Sequence, residues 1–242
     1  MRKLKHNKTL SEDVYEQLLN EISLMEPGNN RLPSEETLSE MLGVSRATIR
    51  EALKHLQLNG IITTIHGRGT YAHPAVLGVP NRLDVNSDFL LMLESQYEQV
   101  EIRQRWKPHM KAEGLAHSEF GEENASVLLA AWEYIADMKI RFYARFSFLE
   151  TYMQETYDIN VMYRSLPEFS RKCMKNEIDY CVMKSHIKYD KEAAEIFGVD
   201  EKTPLHCWNE TIFDIDDNKV GVAEVFVHPE NLEISIVTKF MS

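Results

Sequence analysis

The sequence predicts an α+β chain in two domains: three short helices and a β-hairpin over residues 1–74, then an antiparallel sheet with flanking helices over residues 83–242, joined by a linker at 75–82. Three observations point there. Apolar residues recur at helical spacing as far as Leu56 and alternate from residue 97 onward. Proline and glycine cut the first part into short elements, and His73-Pro74, Gly78 and Pro80-Asn81 carry the signals of a boundary. Charge divides at the same place: residues 1–75 hold nine Lys or Arg against nine Asp or Glu, whereas residues 76–242 hold 18 against 29, which places the whole net charge of -11 in the second part. A balanced first part removes the objection that an acidic protein raises to binding phosphate.

Helix one is expected over residues 11–25, with Val14, Leu18, Ile22 and Met25 on one stripe, Ser11 as N-cap and Pro27-Gly28 as the stop. Helix two starts at Ser34 after Pro33, turns Leu38, Met41 and Leu42 inward, and ends at Gly43. Helix three has Ser45 as N-cap and an apolar stripe of Ile49, Ala52, Leu53 and Leu56, and stops at Asn59-Gly60. At about 100° per residue, Ala47, Arg50, Glu51 and Lys54 lie opposite that stripe, with Arg46 and Thr48 in the first turn. Residues 61–65 and 70–72 read as a hairpin around His66-Gly67-Arg68-Gly69.

Two short helices at a tight turn, with arginine and hydroxyl residues opening the second, have the geometry that reads a major groove. The helix end points amides at phosphate while arginine reaches guanine edges. The hairpin supplies a wing: glycines allow its tip to approach a sugar-phosphate backbone, and Arg68 adds a cation. The first domain is therefore expected to be a winged helix-turn-helix.

Leu32-Pro33-Ser34-Glu35, Leu38, the run from Gly43 to Leu53, Leu56, Gly60 and Gly67-Arg68-Gly69-Thr70-Tyr71 resemble the GntR family of winged-helix regulators over about sixty residues. The resemblance implies DNA contacts from Ser34, Ser45, Arg46, Thr48, Arg50, His66 and Gly67, beside Arg68 and Gly69 at the tip. It also implies a homodimer on a palindromic operator. The chain departs at Glu36, where many relatives carry arginine.

In the second part, residues 97–106, 127–135, 140–149, 178–189, 205–213, 220–227 and 232–240 read as strands, the last as a closing strand. Residues 110–117, 165–174 and 190–197 have helical composition. The order resembles the UTRA effector domain of the HutC subfamily, a chorismate-lyase-like fold. The carrying residues are Asp88-Phe89 with Leu93, Tyr134 to Asp137, Ala193 to Phe197, Pro204-Leu205, Glu210, Asp214 and Val220. The chain departs at Trp132 and at Met138-Lys139-Ile140, where relatives carry an arginine and a Gly-x-Pro turn. Strand phase puts Trp132 with Tyr134, and Tyr143 with Arg145. Resemblance adds Ser165 and Glu224 and matches Arg145 to an effector-lining position, so these six are the candidate effector residues. Arg145 suits a carboxylate or phosphate and Glu224 an amine or hydroxyl.

The sequence holds no run of about 18 apolar residues, and Met1 to Thr9 is basic and polar, so a soluble, cytoplasmic, nucleoid-associated protein without membrane partner is expected. Three cysteines at no ligand spacing read as reduced thiols. With no nucleophile elbow, metal-spaced His or Cys set or phosphate loop, no catalytic residue, metal or cofactor is expected. The reading is a regulator, as a repressor, binding double-stranded operator DNA under control of a small molecule: a sugar phosphate, amino acid or organic acid. Three alternatives stay open: a degenerate sensor serving only dimerisation, an enzyme of the lyase-like fold, and an all-helical metal-binding effector domain suggested by residues 98–113.

Overall fold

The computed structural model describes residues 9–26, 28–79, 82–85, 88–121, 125–230 and 233–238. The chain divides into two compact units, Met1–Ser87 with Glu233–Ser242, and Asp88–Leu232. In the first unit lie helices α1 (Leu10–Ser23), α2 (Glu35–Leu42) and α3 (Arg46–Leu58) and the hairpin β1 (Ile62–Ile65) and β2 (Gly69–Ala72). Val14, Leu18, Ile22, Leu38, Ile49 and Leu56 meet in one core, as the stripes require. Thr9, not Ser11, caps α1: its backbone is extended, and Thr9 and Glu12 satisfy each other's terminal amides in a capping box. Met41 is 68% exposed rather than inward, because Leu38 and Leu42 already fill that face of α2.

The expected linker is partly structured. Pro74–Leu77 form a short helix, α4, and Val76 and Leu77 pack on the N-terminal core. Arg82 then bridges Ser235 and donates to the Asn59 carbonyl at 2.7 Å. Pro80 and Asn81 lie outside the described residues.

The second unit is a six-stranded antiparallel sheet in the order β3-β4-β5-β8-β7-β6. Its strands are β3 (Val100–Lys111), β4 (Ser126–Ala136), β5 (Lys139–Leu149), β6 (Ile178–Lys188), β7 (Leu205–Asp214) and β8 (Lys219–Val227). Helices α5 (Phe89–Glu94), α6 (Gly114–Phe120), α7 (Leu166–Cys173) and α8 (Lys191–Phe197) flank it. Residues 100–111 are extended, which overturns the helical reading of 98–113, and Met110 ends β3 rather than opening a helix. Helix α5 has no counterpart among the expectations, because Phe-Leu-Leu-Met-Leu is apolar all round and shows no period. The closing strand is also corrected. The described residues 233–238 form no strand, and Ser235 makes one isolated parallel bridge to Arg82 within the first unit. Alternation marks a half-buried extended segment without naming its neighbour.

Register assigns the two faces. Trp132 pairs with Ala144 and Tyr134 with Phe142, so these tryptophan and tyrosine rings share a face with Phe142, Phe146 and Phe148. Phe89 of α5 stacks on Phe142 at 4.7 Å, and Phe169 of α7 on Trp106 at 5.1 Å, closing that face as an aromatic core. The opposite face carries Tyr143, Arg145 and Ser147, with Val222, Glu224 and Phe226 on β8.

Glu210 is buried on the aromatic face, where its carboxylate accepts from Trp208 Nε1 at 2.9 Å. Burial, only partly opposed by that bond, pushes its carboxyl up to about 7 from 4.5. A carboxyl whose folded value lies above its unfolded one costs nothing below about pH 4.5, and costs progressively more until about pH 7. Glu210→Gln keeps an acceptor for Trp208 without the charge. Urea unfolding is expected to show it more stable than the parent by about 2–3 kcal/mol above pH 7, with the gap closing in acid; a pH-independent gap contradicts this account.

Candidate nucleic-acid interface and ligand cleft

Ile49, Ala52, Leu53 and Leu56 lock α3 to the core, which leaves Arg46, Ala47, Arg50, Glu51 and Lys54 exposed on its far side. Ser34 and Ser45 cap α2 and α3, accepting from Thr37 N at 3.1 Å and Thr48 N at 3.2 Å. Both helix starts are thus held rigidly, and Thr48 Oγ1 sits 2.9 Å from Ser45 Oγ. The tip turns through Gly67 at φ 74 and Gly69 at φ 110, conformations that a side chain resists, and exposes His66, Gly67 and Arg68. Leu32 N donates to the Thr70 carbonyl at 2.9 Å, so the hairpin is braced from the segment before α2. All nine residues expected at DNA therefore belong to one unit: Ser34 and Ser45 cap α2 and α3, Arg46, Thr48 and Arg50 lie on α3, and His66 to Gly69 form the hairpin turn.

The arginines are not bare. Arg50 Nη2 lies 2.9 Å from Glu35, whose hydrogen bond and charge raise the arginine's pKa, and Arg46 pairs with Glu36. These pairs were not foreseen, since ten and fifteen residues separate the partners. At 60% and 70% exposure of the arginines, such pairs are weak and exchange readily for phosphate.

Residues 10–72 match the bacterial regulatory proteins of the gntR family. They are a helix-turn-helix domain of that family. The regulator Mce2R of Mycobacterium tuberculosis is 41% identical over 61 residues, 25% of either chain. The fatty acid metabolism regulator protein of Yersinia pestis is 31% identical over 118 residues, 43% of this chain and 49% of that one. The chain thus spans a quarter to a half of the length of these curated relatives. Solved structures share the fold beyond the gntR domain. YydK of Bacillus subtilis, described as a possible transcriptional regulator, superposes with a TM-score of 0.72 at 14% identity, covering 96% of this chain and all of that one. The effector domain of PhnF from Mycobacterium smegmatis gives 0.52 at 16% identity, covering 67% of this chain and 100% of that one.

In the second unit, a cleft of about 560 Å³ opens on the sheet face opposite the aromatic core. It gathers three of the six candidate effector residues, Tyr143, Arg145 and Glu224, together with Ser147. The other three stand elsewhere. Trp132 and Tyr134 sit in the aromatic core, because pairing with Ala144 and Phe142 turns them away from Arg145. Ser165 caps α7, accepting from Glu168 N at 3.3 Å, and α7 packs on the aromatic face.

Arg145 is held by three carboxylates: Asp190 at 2.7 Å, Glu192 at 2.9 Å and Glu224 at 3.0 Å. Its guanidinium also lies 4.9 Å from the Phe226 ring centre. Burial works against its charge, but Glu224 and Asp190 outweigh burial and raise its pKa. Burial likewise opposes the Asp190 anion, yet bonds from Ala193 N and Arg145 hold that carboxyl below the usual range. Tyr143 is pushed up by burial and by Glu192, which accepts its hydroxyl at 2.9 Å. Sequence spacing could not reveal Asp190 and Glu192, which lie 45 and 47 residues from Arg145. Lys107 and Lys111 on the cleft rim were missed too, as unremarkable charges on β3. Arg145→Met is expected to leave the carboxylates uncompensated and cost about 2–3 kcal/mol at neutral pH. Because the Asp190 carboxyl is held below the usual range in the parent, the loss should shrink as pH falls and Asp190 protonates; urea unfolding at neutral and acid pH measures it, and an equal loss at each refutes the ion-cluster role.

Proposed function

We propose that the chain is a DNA-binding transcription regulator, a repressor, whose grip on operator DNA is modulated by a small molecule held in the second unit. The observation carrying this reading is the outward row of Arg46 and Arg50 at the start of a core-locked helix, beside a glycine tip bearing Arg68. Placing α3 in the major groove brings Arg50 to base edges and the helix start to phosphate, while Arg68 reaches the adjoining backbone. Glu35 and Glu36 give up the arginines as phosphate and bases replace them.

A homodimer on a palindrome would set two such helices about 34 Å apart. Ligand changes the affinity only through its different affinities for the DNA-competent and DNA-incompetent arrangements. The gntR-family domain supports operator DNA as the partner, and the cleft on the second unit supports a small-molecule effector. We read the chain as a regulator rather than an enzyme. No helix among the described residues is long and apolar enough to cross a membrane.

Binding to promoter fragments is expected to weaken steeply with salt. Arg50→Ala is expected to lower operator affinity about 5- to 100-fold and to relax preference at one base pair. Fluorescence anisotropy over a salt series measures both; a variant that binds and discriminates like the parent rejects Arg50 as a reader.

A further inference from the structure

The charged groups of the cleft are matched from within the protein. On the β5–β8 side, each carboxylate oxygen of Asp190, Glu192 and Glu224 accepts from Arg145, Lys188 or Tyr143. Both terminal nitrogens of Arg145 are engaged in those bonds, and its Nε is buried. The residual negative charge there is spread over oxygens that each already hold a hydrogen bond. On the β3 side, Arg105 pairs with Glu133 at 2.7 Å, and Lys107 and Glu113 cancel in charge. A charged ligand would give up its hydration to groups that are already satisfied, so its desolvation goes uncompensated.

What these groups leave open is apolar. The register sets two neighbouring rows on this face: Arg105, Ala131, Arg145 and Glu224 in one, and Lys107, Leu129, Ser147 and Val222 in the other. The second row lies toward α6, where Leu115 and Ala116 pack with Leu129 and Val222. Met110 adds an apolar side chain that is 40% exposed at the cleft. The room comes from small residues: Ala131 and Ser147 on the floor, Gly114 and Ala116 on α6. Ser147 is the polar group between Leu129 and Val222, and among the described residues no hydrogen bond or ion pair engages its hydroxyl.

Resting on the effector reading above, we infer that the cleft takes an uncharged, mainly apolar small molecule bearing one hydroxyl or carbonyl group. Its body lies on Leu129, Val222, Leu115 and Met110, and its polar atom meets Ser147 Oγ. The volume, about 560 Å³, suits a small molecule. The sugar phosphates, amino acids and organic acids expected from the sequence find no counter-charge left over for them.

Fluorescence of the neutral, apolar probe N-phenylnaphthylamine with the full chain tests this, with octanol, octanoate and octylamine as competitors of one length and three charges. Octanol is expected to displace the probe, and either charged analogue about tenfold less well or worse. Hexanol, shorter by two methylenes, should bind about tenfold more weakly than octanol. An Ala131→Leu variant, which fills the floor, should keep its unfolding midpoint and lose about tenfold or more in probe and octanol affinity. Ser147→Ala should weaken octanol severalfold. Equal displacement by octanoate or octylamine, no displacement by octanol, or unchanged binding in Ala131→Leu overturns the inference, and unchanged octanol binding in Ser147→Ala overturns the hydroxyl contact. Promoter binding on the same preparation separates the two readings. Salt-sensitive promoter binding without octanol uptake sinks only the ligand class, as does a sugar phosphate that binds where octanol does not. Octanol uptake that leaves promoter affinity unchanged sinks the effector reading, and absence of promoter binding sinks the regulator reading itself.

Discussion

A residue in an extended strand can face only one side of its sheet, and the register of β4, β5 and β8 fixes which side for all of their residues together. Ala131, Arg145 and Glu224 stand in one row, and Trp132, Ala144 and Val225 stand in the next with the opposite facing. One face thereby becomes an aromatic core closed by Phe89 and Phe169, and the other an ion cluster beside an open cleft. A slip of one residue would bury Arg145 among the rings and expose Trp132 to water. The cost of desolvating that guanidinium without its carboxylates makes the alternative untenable.

The same rigidity logic operates in the first unit with a different period. Leu56 and Ile49 hold α3 against α1 and α2, so the arginines project from a fixed surface rather than from a flexible arm. Their acidic partners on α2 hold the guanidinium groups in place at little energetic cost, because exposed pairs are weak and screened by salt. The gntR-family domain thus presents preformed positive groups whose counter-charges are replaceable.

The two halves differ in how much their local sequence revealed. Helices α2 and α3 and the hairpin were legible almost to the residue, because their caps, stripes and glycines are set by contacts within a few positions. Helix α5 was not, since a helix apolar on every side has no period to read. Residues 233–238 alternate as a strand would, yet lie outside the large sheet.

Taken alone, the sequence determined the three helices, the hairpin, the outward placement of Arg46 and Arg50 and the existence of a mostly antiparallel sheet. Local hydrogen bonds and a period of 3.6 or 2 are sufficient for those. Only the tertiary structure decided that Trp132 and Tyr134 turn away from Arg145, that Ser165 belongs to a helix cap on the other face, and that Asp190, Glu192 and Glu224 converge on one guanidinium. Those facts depend on which strands become neighbours and in what register, and residues 45 to 79 positions apart carry no local mark of their meeting.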